Sequence, residues 1–277
     1  MKKLSLAASC LALAAPVLLA LGAPAGAQSE AAMPPLPHPA WSFSGIFGTY
    51  NRAALQRGFQ IYDQVCSVCH SMNLLHYRDL AALGYNENEI KAIAGQRQVT
   101  AGPNKEGAMF QRPARPADAF VAPYPNEEAA RAAHNGALPP DLSDIVKARH
   151  GGVDYVYGIL TGFKNPPQGF KLNDGMNYNE YFPGHQIAMP QPLTDGSVTY
   201  AVGTKATLPQ EAHDVVTFLA WASDPKMEER KETGAKVMLF LFAMAGVMYA
   251  AKRKIWSGLY HRADEGTGIP PRPAQNV

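Results

Sequence analysis

The stretch "QVCSVCHSMN", residues 64–73, contains Cys66-Ser67-Val68-Cys69-His70, a C-x-x-C-H pattern. Two thiols three positions apart on one helical turn can each bond a vinyl group of a haem, and the histidine that follows is placed to reach the iron. Zinc would want four ligands, usually with a second Cys or His pair at short spacing, and no such pair exists here. A redox dithiol would sit in a strand–helix–strand context, which the sequence lacks. A plain disulfide would make no demand on His70. The pattern points to covalently bound haem c, one per chain, with Cys66 and Cys69 as attachment points and His70 as an iron ligand.

The ends of the chain frame this motif. Lys2 and Lys3 precede a largely apolar run, Leu4 to Leu21, and Ala25-Gly26-Ala27 fits a small-residue cleavage site, so residues 1–27 read as a signal peptide. Its removal takes Cys10 with it and leaves Cys66 and Cys69 as the only thiols. An exported domain is then expected over 28–235. It holds 17 Lys+Arg against 21 Asp+Glu, a net charge of −4, which argues against nucleic acid as a partner and suits a basic one.

A second apolar run, "VMLFLFAMAGVMYA" at 237–250, extends with Ala251 to 15 uncharged residues. At ~1.5 Å per residue this is about 22 Å, short of the roughly 30 Å hydrocarbon core. Lys236 can snorkel, and Ile255 and Trp256 can occupy the far interface. A transmembrane anchor is expected over 236–256, followed by a tail at 257–277. The cluster Lys252, Arg253, Lys254 and Arg262 favours a cytoplasmic tail by the positive-inside rule.

Within the exported domain, helical periodicity and caps dominate. Residues 51–66 place Ala54, Leu55, Phe59, Tyr62 and Val65 near helical spacing. "YNENEIKAIAG" reads as a short helix closed by Gly95, and "NEEAARAAHNG" as one starting at Asn126 and ending at Gly136. Residues 208–225 run from Pro209 to Pro225 with an Ala212, Val215, Val216, Leu219, Ala222 stripe. No series of alternating strands is visible. With 23 prolines and 24 glycines, long loops are expected at 101–125, 163–193 and 194–208, and loops of that length usually serve function. The fold class is mainly α.

A haem iron takes a sixth ligand or keeps an open site. Met109, Met176 and Met189 are placed to compete for it. Met189 stands in the proline-stiffened "YFPGHQIAMPQP", and His185 of the same loop is its rival. The propionates call for donors, with Arg149, Arg112, Arg115, Tyr155 and Tyr157 as candidates. An open sixth site would make the chain a haem sensor or peroxidase-like enzyme, and an unused thiol pair would make it an assembly protein.

Four blocks carry a family resemblance: "RGFQIYDQVCSVCHSMN", "GPNKEGAMFQRPARPAD", "PYPNEEAARAAHNGALPPDLSDIVKARHGGVDYVYGILTGF" and "YFPGHQIAMPQP". Together, from about Trp41 to Trp256, the chain resembles the cytochrome c1 family of bacterial type, the haem subunits of ubiquinol–cytochrome c oxidoreductase (the cytochrome bc1 complex). The resemblance implies a class I c-type cytochrome-like haem domain with long irregular loops. It implies His70 and Met189 as axial ligands, with Arg149 and Tyr155 at the propionates. It also implies cytochrome b and a Rieske iron–sulfur protein as partners, a c-type cytochrome as acceptor, and a dimeric complex. The place implied is the bacterial inner membrane, with the haem domain in the periplasm. Some bacterial members clamp the methionine loop with an extra cysteine pair. This sequence has none once Cys10 is removed, so packing and prolines must hold the loop.

Overall fold

The computed structural model describes residues 33–201 and 203–267, the last ten as backbone only. The expected signal peptide and residues 268–277 of the expected tail lie outside the described residues.

Two helices set the architecture. α1 (Arg52–Gln64) starts where the Asn51 side chain accepts the Ala54 N–H, and it buries Leu55, Phe59, Ile61 and Tyr62. α6 (Leu208–Ser223) has Pro in its first turn, where a missing N–H costs nothing, and stops at Asp224 before Pro225. The two cross in close backbone contact at Gly58. A methyl there would overlap the Asp214 carbonyl oxygen and lie 2.7 Å from Phe218 Cβ, so only glycine admits this approach. Beside the contact, Arg57 donates from Nε and Nη2 to the fully buried Asp214 carboxylate at 2.7 and 2.8 Å, and Tyr200 donates its hydroxyl at 3.1 Å. Below it, Phe59, Tyr62, Phe120, Phe218 and Trp221 form a ring cluster with centroids 5.7–6.1 Å apart.

The smaller elements fill the space between. α2 (Glu87–Gly95) opens with a reciprocal Asn86–Glu89 capping box, and α3 (Glu127–Ala133) opens on the Asn126 side chain. Gly136 closes α3 at φ +88°, its N–H donating to the Arg131 carbonyl at 2.8 Å. α4 (Ile145–Ala148) and α5 (Gly152–Thr161) follow, and α5 packs on α6.

The expected loops contain short pairings. β1 (Gln98–Ala101) runs antiparallel to β2 (Phe110–Pro113), and β3 (Asn177–Tyr178) to β4 (Gln186–Ile187). At two to four residues, such strands are too short to leave an alternating pattern in the sequence. The mainly α class holds, with these ribbons as additions to the expected loops.

α7 (Met227–Thr267) is one 41-residue helix, longer at both ends than the expected 236–256 anchor. It is apolar and long enough to cross a membrane, and its apolar part is uncovered among the described residues: Leu239 and Phe242 are 73% and 71% exposed. Residues 33–50 strap the domain and reach the start of α7. Trp41 stacks on His213 at 4.7 Å and donates Nε1–H to Asp154 at 2.7 Å.

Replacing Gly58 with Ala is expected to cost about 3 kcal/mol or more, because two backbones must separate and over-packing in a close-packed core runs to roughly that size. Denaturant unfolding of the haem-bound protein measures it. A loss under ~1 kcal/mol would show that the crossing tolerates a methyl.

Candidate functional site: a haem slot

Cys66, Cys69 and His70 follow directly from the end of α1. Residues 66–68 form one tight 3-10 turn, and both the Cys69 and His70 N–H groups donate to the Cys66 carbonyl, at 3.1 and 2.9 Å. The turn puts both thiols and the imidazole on the wall of one cavity of about 700 Å³, within the ~300–1,000 Å³ of ligand sites. The thiols are not joined to each other. Among the described residues, no group of three or more His, Cys, Asp or Glu side chains could hold a metal ion, which leaves the zinc reading without ligands.

The imidazole is oriented through its far nitrogen. His70 Nδ1 lies 2.8 Å from the Pro140 carbonyl oxygen. A carbonyl only accepts, so Nδ1 carries the proton and Nε2 keeps its lone pair, the form a metal needs. Burial pushes the imidazole's basicity down, which also favours the neutral ring. Burial pushes the Cys66 thiol up to about 12, with Cys69 adding to the effect. Cys66 is therefore no low-pKa redox thiol.

Pro140 is held by its neighbour. Asp141 accepts from Ser71 Oγ, Asn73 N–H and Ser143 N–H, each at 2.8 Å, and so ties the segment after His70 to the "LPPDLS" segment. Burial alone would raise this carboxyl. The hydrogen bonds from Ser143, Asn73 and Ser71 outweigh it and hold the group below its ordinary value.

Another part of the wall comes from the proline loop, far away in sequence. Met189 lines the cavity with Ile187, Ala188, Pro190 and Pro192. Asn177 Nδ2 donates to the Met189 carbonyl at 3.3 Å, and Leu193 is fully buried just beyond. His185 does not line the cavity. It is buried, stacked on Tyr178 at 5.6 Å and edge-on to Phe170. Met109 is 61% exposed outside the cavity, and Met176 lines a second, adjoining hollow beside His134.

The propionate candidates separate in the same way. Arg149 and Tyr155 lie on the cavity wall. Arg112 does not: its guanidinium forks onto Asp118 at 2.6 and 2.8 Å. Arg115 and Tyr157 are also outside the lining, and Tyr157 stands edge-on to Trp41. Val215 and Leu219 of α6 complete the apolar wall. One helical turn before Val215, Glu211 is buried. Its Oε1 accepts the Val198 N–H at 3.1 Å while Oε2 has no hydrogen-bond partner among the described residues, and burial raises its carboxyl.

The cavity is apolar and large enough for a haem. It brings together two unpaired thiols, an oriented imidazole, a thioether and one arginine, so the residues present fit the group. Sequence reasoning missed Pro140, Asn177 and His134. Pro140 acts through its backbone carbonyl, which leaves no residue-type signature, and Asn177 is read only once β3 and β4 fold the loop back.

This slot and the long apolar helix define a membrane-anchored c-type cytochrome. Residues 41–259 match the Cytochrome C1 family. The mitochondrial heme protein cytochrome c1-2 of Solanum tuberosum is 50% identical over 223 residues, covering 80% of this chain and 85% of that protein. Cytochrome c1 of Rhodospirillum rubrum is 42% identical over 90% of this chain and 96% of its own length. A Bradyrhizobium diazoefficiens protein named cytochrome b/c1 is 43% identical over 91% of this chain and 40% of that longer protein. The chain belongs to the cytochrome c1 family. It is a haem c-carrying electron-transfer subunit of the cytochrome bc1 complex, ubiquinol–cytochrome c oxidoreductase, and it is membrane-anchored.

Two variants check the supports of the slot. Asp141 titrates lower in the folded chain than in the unfolded one, so its contribution is full above the unfolded value and is lost as pH falls through the folded value. Asp141→Asn should cost about 1–3 kcal/mol at pH 7, with the gap to the unsubstituted protein closing toward pH 3. A gap independent of pH would show that the charge is not what matters. Glu211 has the opposite sign. Its raised value favours the protonated form, so its contribution is best below the unfolded value and worsens as pH rises through the folded one. Glu211→Gln should therefore melt higher than the unsubstituted protein at pH 7, with the difference shrinking toward pH 4. Equal melting temperatures across that range would rule this out.

Proposed function

We propose that the chain accepts one electron at a time from a Rieske iron–sulfur protein and hands it to a soluble or tethered c-type cytochrome, within quinol oxidation coupled to proton translocation. When bound, haem c supplies a one-electron iron couple. Cys66 and Cys69 hold it covalently, so an exported carrier cannot lose it. His70, aimed by the Pro140 carbonyl, and Met189 would ligate the iron. Arg149 and Tyr155 would meet the propionates. An imidazole and a thioether as the two protein ligands would supply a high-potential couple with no open site, which suits transfer over ligand chemistry. The single observation that best supports this reading is Met189 on the same cavity as the Cys66–His70 turn, with His185 outside it.

The partners and place follow the same reading. Cytochrome b stands beside α7, in keeping with the b/c1 name of the Bradyrhizobium relative, and the complex is dimeric. Residues 1–27 are removed on export, 28–235 form the periplasmic haem domain, 236–256 cross the bacterial inner membrane, and 257–277 are cytoplasmic. The basic cluster Lys252, Arg253 and Lys254 follows the span, as the positive-inside rule asks. The net charge of −4 over 28–235 suits a basic acceptor.

Met189→Leu tests the site. The midpoint potential should fall by at least roughly 0.1 V, a share of the ~0.8 V that axial ligands command, and the reduced protein should bind carbon monoxide. An unchanged potential would remove Met189 from the iron. Co-purification of the native chain with cytochrome b and a Rieske protein tests the circuit, and isolation without either would sink it.

A further inference from the structure

Among the described residues, Phe47 is the most exposed large apolar side chain at 86%, and Ile46 beside it is 75% exposed. Neither belongs to the haem slot or to α7. They sit on a well-formed turn. Ser44 N–H donates to the Trp41 carbonyl at 3.1 Å, Thr49 N–H to Ser42 at 3.1 Å, and Gly45 supplies the left-handed residue at φ +73°. The base of the turn is packed, with Phe43 against Trp41 at 5.6 Å and Tyr50 at 5.2 Å. Two large apolar groups are thus presented outward by a fixed scaffold.

That scaffold is fastened to the start of α7. Lys231 Nζ donates to the carbonyls of both Phe43 and Gly48, at 2.8 and 2.9 Å, gripping the turn at its two ends. Tyr50 N–H donates to Glu228 at 2.7 Å, and Arg52 pairs with the same carboxylate at 2.6 Å. Lys231 precedes Val237, the first residue of the uncharged run, by six residues or about 9 Å of helix. The headgroup layer on each side of a bilayer is roughly 5–8 Å thick. The grip therefore lies close to the outer edge of the headgroup layer through which α7 enters the membrane.

We propose that Ile46 and Phe47 insert into the interfacial layer of the leaflet through which α7 enters, making a second, shallow membrane contact for the haem domain. Aliphatic and aromatic side chains partition favourably there. The turn is fastened to α7 only about 9 Å of helix before its uncharged run begins, which is why lipid is the favoured occupant over a protein. The inference rests on α7 spanning the membrane, and its test separates the two.

The full haem-bound chain is placed in phosphatidylcholine–phosphatidylglycerol vesicles with one nitroxide label, at Phe47→Cys, at Leu241→Cys in the span, or at Glu128→Cys on exposed α3. With Cys66 and Cys69 bonded to haem, the mature chain offers no other thiol. Collision rates with oxygen, which favours lipid, and with a charged nickel chelate, which stays in water, are compared. The oxygen-to-nickel ratio at Phe47→Cys should exceed that at Glu128→Cys several-fold and fall below that at Leu241→Cys. A ratio like that of Glu128→Cys, with Leu241→Cys still in lipid, overturns the proposal and leaves the anchor standing. Shielding of the Phe47→Cys label from both reagents overturns it in favour of a protein occupant. A water-exposed Leu241→Cys label defeats the anchor and the proposal together.

Discussion

The approach of α1 to α6 at Gly58 is the constraint on which the haem slot depends. With no side chain between them, the two backbones meet at the Asp214 carbonyl, and this fixes where α1 ends relative to α6. The attachment turn begins two residues after that end, and Val215 and Leu219 of α6 face the same cavity. A looser crossing would move the thiols away from the wall that the α6 residues supply. The Arg57–Asp214 fork beside the contact adds direction more than energy. A buried pair gains little over apolar packing, while an unpaired charge in its place is costly. Sliding α1 along α6 would strand the Asp214 carboxylate, whose side chain has no solvent exposure, so the pair penalises every register but one.

The same physics explains what was legible in the sequence. α1, α2, α3 and α6 announce themselves because their signals are local: a cap, an apolar stripe, a proline at the start or just past the end. α5 gives no such notice. "GVDYVYGILT" is rich in β-branched, aromatic and glycine residues, which are weak helix formers. It becomes helical because Val156 and Leu160 are buried in the core it shares with α6. β3 and β4 are two residues each and exist only because the loop between Phe163 and Met189 folds back on itself. The site shows the same division. The cysteines and His70 are a motif, and Met189 has its flanking prolines. The family resemblance singles out Arg149, while residue type alone leaves Arg112 open, and only the structure shows Asp118 occupying Arg112.

The methionine loop is held against the cavity without a covalent clamp. Asn177 grips the Met189 carbonyl, Leu193 is sunk in the core four residues later, and Val198 is tied down to Glu211 on α6. Prolines at 190 and 192 restrict the backbone between these points, reducing the freedom that the unfolded loop would otherwise lose. Each hold is modest, about 1 kcal/mol for a typical hydrogen bond. They act on a segment whose two ends are both fixed, so the thioether has little room to leave. Glu211 is the exception in this arrangement, because it secures the loop with one oxygen while burying a second that has no hydrogen-bond partner among the described residues.

The junction with α7 extends this logic from the haem to the membrane. Asp224 and Pro225 break the chain between α6 and α7, so the two helices could in principle hinge. The strap at 33–50 opposes that: Tyr50 donates its hydroxyl to the Ala220 carbonyl on α6 at 3.1 Å and its backbone N–H to Glu228 on α7. Lys231 adds its grip on the turn, and Arg230 pairs with Asp224 at 2.6 Å across the break. A surface ion pair such as Arg230–Asp224 contributes little alone, but the contacts bridge one joint from three directions. Tilting the domain on its anchor would break them together. The haem slot is therefore held at a set height and attitude above the start of α7, which a carrier needs if it is to meet one partner at the membrane and another in solution.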